Sequence, residues 1–369
     1  MPCICRSVWC RILSEPMWVA DVGSLYQDTP PKEAGNAYAL ASFSGETYYI
    51  PLSRSAMRLL VTGEVSEGTI AVVSTGGSQS DPIGFHYHRE AHDVFLCLQG
   101  QVNIWADDRA QTMGPGDFAS VPPGTVHQYQ ILGDHTEFIG LIVPGGWEEF
   151  FRFIGEPYAG ATWPMTDERN PLEVLIPRLK EAAERFDMVP QPHFSGSSPQ
   201  PWSQDGRDNT LPGTLTPYFL RAGSGPAYQL EGSVVRPLAT TNESAGKFAI
   251  GSLEGSCVHR NELLAAGIVF SSVHHAFHVV EGTFEFLIDG TSATLTAGET
   301  LYVPRNSRLQ IRYLSRYGKA YVFASGGGLV ELFTKAGEPY SMPIISESEA
   351  VVDMKRVREA SRELDITLG

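Results

Sequence analysis

The feature that most constrains this chain is that it repeats itself. Tyr38, Leu40, Gly45 and Tyr48 recur at the same mutual spacing as Tyr218, Leu220, Gly225 and Tyr228. Arg58, Leu60, Thr62, Ser66, Gly68 and Ala71 match Arg236, Leu238, Thr240, Ser244, Gly246 and Ala249, again without a gap. Further on, Gly100, Gly116, Val121 and Pro122 match Gly282, Gly298, Val303 and Pro304. Three segments kept in one order argue for duplication of a domain. A chain of 369 residues has room for two cores. The expected division is residues 38–165 and 216–345 for the two copies and 166–215 for the connection, with 1–37 as an N-terminal segment and 346–369 as a C-terminal helix.

Within each copy, short apolar or alternating runs such as Thr47 to Leu52, Val94 to Leu98, Val102 to Trp105 and Phe138 to Val143 are broken at close intervals by Gly, Pro, Ser and Asp. That rhythm predicts an all-β antiparallel sandwich or barrel. Aromatic residues three to four apart from Trp147 to Ile154 predict a helical turn packed on the barrel. From Pro171 to Asp187 the apolar residues share one face, which predicts a helix; Pro177, lacking an amide donor, marks a kink or a start near Ile176. Val189 to Gly213, rich in Pro, Ser, Gly and Gln, reads as a linker. Ser346 followed by Glu349 has the form of a capping box and predicts a helix running to Leu364.

A net charge of −15 argues against nucleic acid or an anionic membrane as partner. No apolar run approaches the roughly 20 residues that span a bilayer. A cytoplasmic location is the preferred expectation, with secretion left open. Five cysteines, Cys3, Cys5, Cys10, Cys97 and Cys257, do not suggest a disulfide framework. The first three sit in a head expected to be disordered, and Met17 offers an alternative start, which makes residues 1–16 a candidate extension.

The chemistry concentrates at His86-Tyr87-His88. Two histidines one residue apart on a strand face the same way, so both imidazoles can reach one ion. His127, following the Pro122 to Gly124 turn, is expected to close that site. The repeat tests the idea. Counting from the matched glycines and prolines places Ile268, Phe270, His275 and Leu309 where the first copy has His86, His88, Asp93 and His127. The second copy should therefore be filled with side chains, leaving one metal ion per chain. His274, His275 and His278 then read as satisfied polar residues or cavity lining.

These residues resemble the cupin superfamily, whose first motif runs Gly, His-x-His, three or four residues, Glu, six residues, Gly. His86, His88 and Gly100 fit it, and Gly116, Pro122, Gly124 and His127 fit the second motif. The duplication, with an emptied second copy, is similar to the fungal quercetinase-type bicupins. The resemblance implies two tandem jelly-roll β-barrels with a few flanking helices. It also implies a metal site of His86, His88, His127 and a carboxylate. Six residues before Gly100 stands Asp93 where the family has Glu, and His92 matches a shorter form of the spacing. Either Asp93 completes the ligand set or His92 enters it and Asp93 orients His92; the unbroken spacing to Gly100 favours Asp93, and Glu90 is a remote third candidate. Such ligands suit one divalent transition metal ion, Cu, Ni, Fe, Mn or Co, without choosing among them.

The implied activity is cleavage of the ring of a flavonol-like or other polyphenolic molecule, with Asp93 as the catalytic base. The partners would be a small aromatic substrate and dioxygen, and a homodimer is compatible with the sequence. A non-oxidative isomerase, cyclase or lyase of a polyketide-like aromatic and a non-catalytic ligand-binding bicupin are the alternatives. By strand parity Phe95 and Cys97 fall on the side of Asp93, and Tyr129 on that of His127, so these three are candidate substrate contacts. Tyr87 is expected outside the cavity.

Overall fold

The computed structural model describes residues 24–160 and 166–369. The cysteine-bearing head and the alternative start at Met17 lie outside them. In the first copy, Ser55–Val61 pairs with Ala71–Gly77, that strand with His127–Val143, and His127–Val143 with His92–Ala106. The last two are long strands that run together from Val143 opposite His92 to His127 opposite Ala106. They bend from one wall of the barrel to the other, and the strands of this copy after Tyr38–Leu40 join one eleven-stranded sheet. In the second copy the same runs are each divided, into His275–Glu281 and Thr283–Ile288, and into Arg308–Tyr313 and Gly318–Ala324. Nine- and five-stranded sheets result.

The bends explain two of the repeated glycines. Gly100 and Gly282 have φ of +70° and +76°. A Cβ would lie 2.3 Å from Thr136 Oγ1 at Gly100 and 2.2 Å from the Tyr317 carbonyl at Gly282. Only glycine combines that backbone with that approach. Two jelly-roll barrels with a few flanking helices are the outcome: the all-β class is what the strand rhythm predicts, and the tandem jelly rolls are what the resemblance implied.

Each copy lends its opening strand to the other. Tyr38–Leu40 pairs with Thr300–Val303 of the second copy, and Tyr218–Leu220 pairs with Phe118–Val121 of the first. The core between the barrels draws on both copies, including Tyr38, Leu96, Phe118, Tyr218, Phe248 and Tyr302. Two of its tyrosines are satisfied at equivalent positions: Tyr38 donates to the Leu60 carbonyl at 2.8 Å and Tyr218 to that of Leu238 at 2.7 Å. A division at residues 38 and 216 cannot see this exchange, because a strand's sequence does not name its partner.

The repeat also extends further than its identical residues. The predicted helix from Pro171 is two pieces, Pro171–Val174 and Ile176–Arg185, parted at Leu175; Pro177 sits in the first turn of the second, where no amide donor is needed. After it, Val189–Pro190 pairs with His86–Tyr87. In the second copy the helix Met354–Glu363 is followed by Ile366–Leu368, which pairs with Ile268–Phe270. Helix and closing strand thus end both copies.

Two expectations need correction here. The Pro/Ser/Gly-rich stretch is no free linker: Gln191 N–H donates to Phe85, Trp105 Nε1–H to Ser197 and Gln200 N–H to Ala110, at 2.7–3.0 Å. Backbone hydrogen bonds hold it to the first barrel, which composition does not reveal. The C-terminal helix does not begin at Ser346, whose hydroxyl bonds locally to that of Ser348 at 2.9 Å. It begins after Asp353, whose carboxylate accepts from Lys355 N–H at 2.9 Å and Arg356 N–H at 3.3 Å. No helix among the described residues is long and apolar enough to cross a membrane.

Candidate metal centre

The short strand His86–Tyr87 lies between Val189–Pro190 and the start of His127–Val143, with His86 opposite His127. His88 follows it, and its carbonyl accepts from Gly124 N–H at 2.7 Å, so the Pro-Gly turn is fastened to the histidine pair. Asp93 enters on the neighbouring strand between Val121 and Ile142. His86, His88 and His127 converge, with one ligand atom from each lying within 4.8 Å of the others. It is the group of that kind found among the described residues.

Each imidazole is oriented through Nδ1. His86 donates to the Gly84 carbonyl at 3.0 Å, His127 to the Thr125 carbonyl at 3.0 Å, and His88 to the carbonyl of Asp187. A carbonyl can only accept, so each Nδ1 carries the proton and each Nε2 presents a lone pair. The Nε2 atoms of His88 and His127, and Oδ1 of Asp93, are buried without a hydrogen-bond partner. Asp93 Oδ2 stands 3.2 Å from His88 Nε2 and 3.4 Å from His127 Nε2. With both rings neutral, these contacts set lone pair against lone pair, an arrangement that a cation among them relieves. The residues therefore fit a metal ion.

The electrostatics of His86 and Asp93 agree. Burial, then the neighbouring His127 and His88, lower the pKa of His86 to about 3, which keeps it neutral and able to ligate. Burial would raise the pKa of Asp93, but His88 and His127 outweigh it and hold the carboxyl well below the usual range. Burial opposes a charge on His88 as well, yet Asp93 raises its pKa. A strongly ionised Asp93 is suited to ligation and, by itself, poorly suited to taking a proton.

His92 points elsewhere. Its Nε2 is 2.8 Å from Ser120 Oγ and its ring meets Phe248 edge-on at 4.8 Å, in the core between the barrels. As the neighbour of Asp93 on one strand it must face the opposite side. The alternative in which His92 enters the shell has no support in this geometry.

Beside the triad lies a cavity of about 340 Å³ whose wall includes His86, Asp93, Phe95, His127 and Tyr129. Phe95 is at once pocket and core, its ring 6.2 Å from that of Tyr129. Cys97 is not in the wall. It has the right parity but lies further along the strand, where Val102, Met113, Ile131 and Phe219 fill the barrel. Sequence reasoning missed Trp147, whose ring meets His88 at 4.8 Å, and Phe138, Phe150, Leu175, Leu179 and Met188, which complete the wall. The aromatic run from Trp147 signalled a packed helix, observed as Glu149–Ile154, but not that it roofs the cavity.

The second copy repeats the frame without the donors. Ile268 pairs with Leu309 as His86 does with His127, and His275 with Val303 as Asp93 does with Val121. Ile268, Phe270 and Leu309 are buried in one apolar cluster. The three histidines are satisfied: His274 bonds to the Tyr302 hydroxyl at 2.7 Å, His275 accepts from Leu329 N–H at 3.1 Å, and His278 bonds to Thr300 Oγ1 at 3.0 Å.

Comparison with known proteins adds what the chain is similar to. Residues 70–143 match the model of the Cupin domain. Quercetin 2,3-dioxygenase of Bacillus subtilis (strain 168) is 25% identical over 340 residues, 91% of this chain and 96% of that protein. The chain has the bicupin fold. Quercetin 2,3-dioxygenase of Aspergillus japonicus is likewise 25% identical, over 87% of the bicupin and 98% of its own length. Among solved structures, protein Ylba from E. coli shares the fold with a TM-score of 0.50 at 10% identity, covering 79% of the bicupin and 91% of that chain. The match covers nearly the whole length of both dioxygenase relatives, and the bicupin, like them, is an enzyme; its histidine triad could hold a metal ion.

Proposed function

We propose that this bicupin is a metal-dependent dioxygenase that opens the ring of a flavonol-like polyphenol. The observation that carries the reading is the cavity of about 340 Å³, apolar over most of its wall, with His86, Asp93 and His127 on one side. Its size and lining suit a planar aromatic ring system presenting one polar edge to the triad. The two dioxygenase relatives support the same reading.

Phe95, Tyr129, Phe138 and Trp147 would hold the rings and keep bulk water from the reacting edge. Asp93, one methylene shorter than the family's glutamate, would receive the proton of an enolic hydroxyl on a carboxylate oxygen. A divalent ion held by Nε2 of His86, His88 and His127 would acidify that hydroxyl, so that a carboxylate of depressed pKa suffices. The deprotonated ring is the electron-rich partner for dioxygen.

The test is oxygen uptake on a panel of flavonols with protein of known metal content, repeated without oxygen. Oxygen-dependent turnover is expected; undiminished turnover under anaerobic conditions refutes the oxygenase in favour of a non-oxidative isomerase, cyclase or lyase. Asp93→Asn is expected to retain the metal and lose about 10²-fold or more in kcat.

A further inference from the structure

His86 and His127 take their Nδ1 acceptors from carbonyls two residues away, whereas His88 takes its acceptor from Asp187, 99 residues along the chain. Asp187 lies just after the helix Ile176–Arg185. Its carboxylate accepts from three successive amides beside His88: Arg89 at 2.8 Å, Glu90 at 2.7 Å and Ala91 at 3.2 Å. Its carbonyl also accepts from Trp147 Nε1–H at 3.3 Å. The contact with the Arg89 side chain, at 3.6 Å and largely exposed, adds little.

We propose that Asp187 is the positioning residue of the metal site: its carboxylate gathers the amides of Arg89 to Ala91 and thereby fixes the carbonyl that sets the tautomer and plane of His88. The inference rests on reading the histidine triad as the ligand set. Three converging amides call for an acceptor with two oxygens and full charge, which aspartate supplies and asparagine or alanine does not. The same segment contributes Leu175, Leu179 and Met188 to the cavity wall, so one piece of chain serves both the ion and the aromatic pocket.

The second copy offers a matched contrast. Asp365 stands two residues past the end of its helix and before its closing strand, as Asp187 does, and its carbonyl accepts from the amide and hydroxyl of Ser271 at 3.3 and 3.0 Å. The frame is the same, but no histidine depends on it.

The experiment loads the full-length protein with Co(II) and measures affinity by chelator competition together with the visible d–d spectrum. Asp187→Ala is expected to weaken Co(II) binding by roughly tenfold or more and to shift the bands, as removal of an outer partner of a ligating histidine does. Asp365→Ala should leave both unchanged. Wild-type affinity and spectrum in Asp187→Ala overturn the proposal, and so does an equal loss in the two variants, which would mean general loosening. Should Asp187→Ala fail to fold, Asp187→Asn gives the same reading, since its amide nitrogen turns one N–H against another. A wild-type protein that takes up no Co(II) overturns the triad itself, an outcome distinct from failure of Asp187 alone.

Discussion

Where His127 faces His86 in the first barrel, Leu309 faces Ile268 in the second, in the same register. The ladder is indifferent to what its side chains do, because backbone hydrogen bonds set it. What differs is how the interior volume is occupied. Interiors must be close-packed. The second barrel meets that demand with Ile268, Phe270, Leu309 and their neighbours. The first leaves a cavity beside ionisable groups and roofs it with Glu149–Ile154 and Ile176–Arg185. A buried ion pair shows the same freedom. Arg58 pairs with Glu137 at 2.6 Å, while its counterpart Arg236 pairs at 3.2 Å with Glu254, which lies opposite Lys319 on the adjoining strand. The charge balance survived duplication although the carboxylate changed strands.

The sharpest way to break the contrast is to remove the donors from the first barrel. His88→Ala should abolish metal uptake by elemental analysis, and stoichiometric metal in that variant refutes the assignment. The reverse operation is the combined Ile268→His, Phe270→His and Leu309→His. We expect no second ion, since His275 already accepts from Leu329, and a loss of stability of about 2 kcal/mol or more per site from unpaired polar groups in a packed core. A second equivalent of bound metal would overturn the view that the barrel is filled.

Glu137→Gln tests the displaced ion pair and should cost about 3 kcal/mol in chemical denaturation, because Arg58 is left buried and uncompensated. Burial would raise the pKa of Glu137, but Arg58 and Ser74 lower it below 4.5. The folded value lies below the unfolded one, so this stabilisation is complete above pH 4.5 and is lost as pH falls from there through the folded value. The acid limb of the stability profile should flatten in Glu137→Gln; an unchanged limb rules out the linkage. The smallest effect is expected for His92→Phe, about 1 kcal/mol from the lost hydrogen bond to the Ser120 hydroxyl, with metal content unaltered. Lost metal there would return His92 to the ligand shell.

The duplication, the all-β class and the convergence of His86, His88 and His127 were legible because each rests on local spacing: period two along a strand and glycines where only glycine fits. The loss of the second site was legible from Ile268, Phe270 and Leu309 for the same reason. Strand parity separated Phe95 from its outward neighbours, yet could not tell the cavity from the filled end of the barrel, and Cys97 fell on the wrong side of that line. Asp187 was out of reach. Its role depends on a contact 99 residues away, and the match of Asp187-Met188-Val189 to Asp365-Ile366-Thr367 keeps only one identical residue. The helix at Met354 was misplaced because Ser346 offered a capping box while Asp353 made the actual cap.

The exchanged opening strands bear on why a barrel without a metal site persists at all. Tyr218–Leu220 completes the sheet of the working barrel. A deletion that removed the second half would therefore open the first barrel along Phe118–Val121. The second barrel is thus a wall of the first, through the strand it lends and through its share of the core between them.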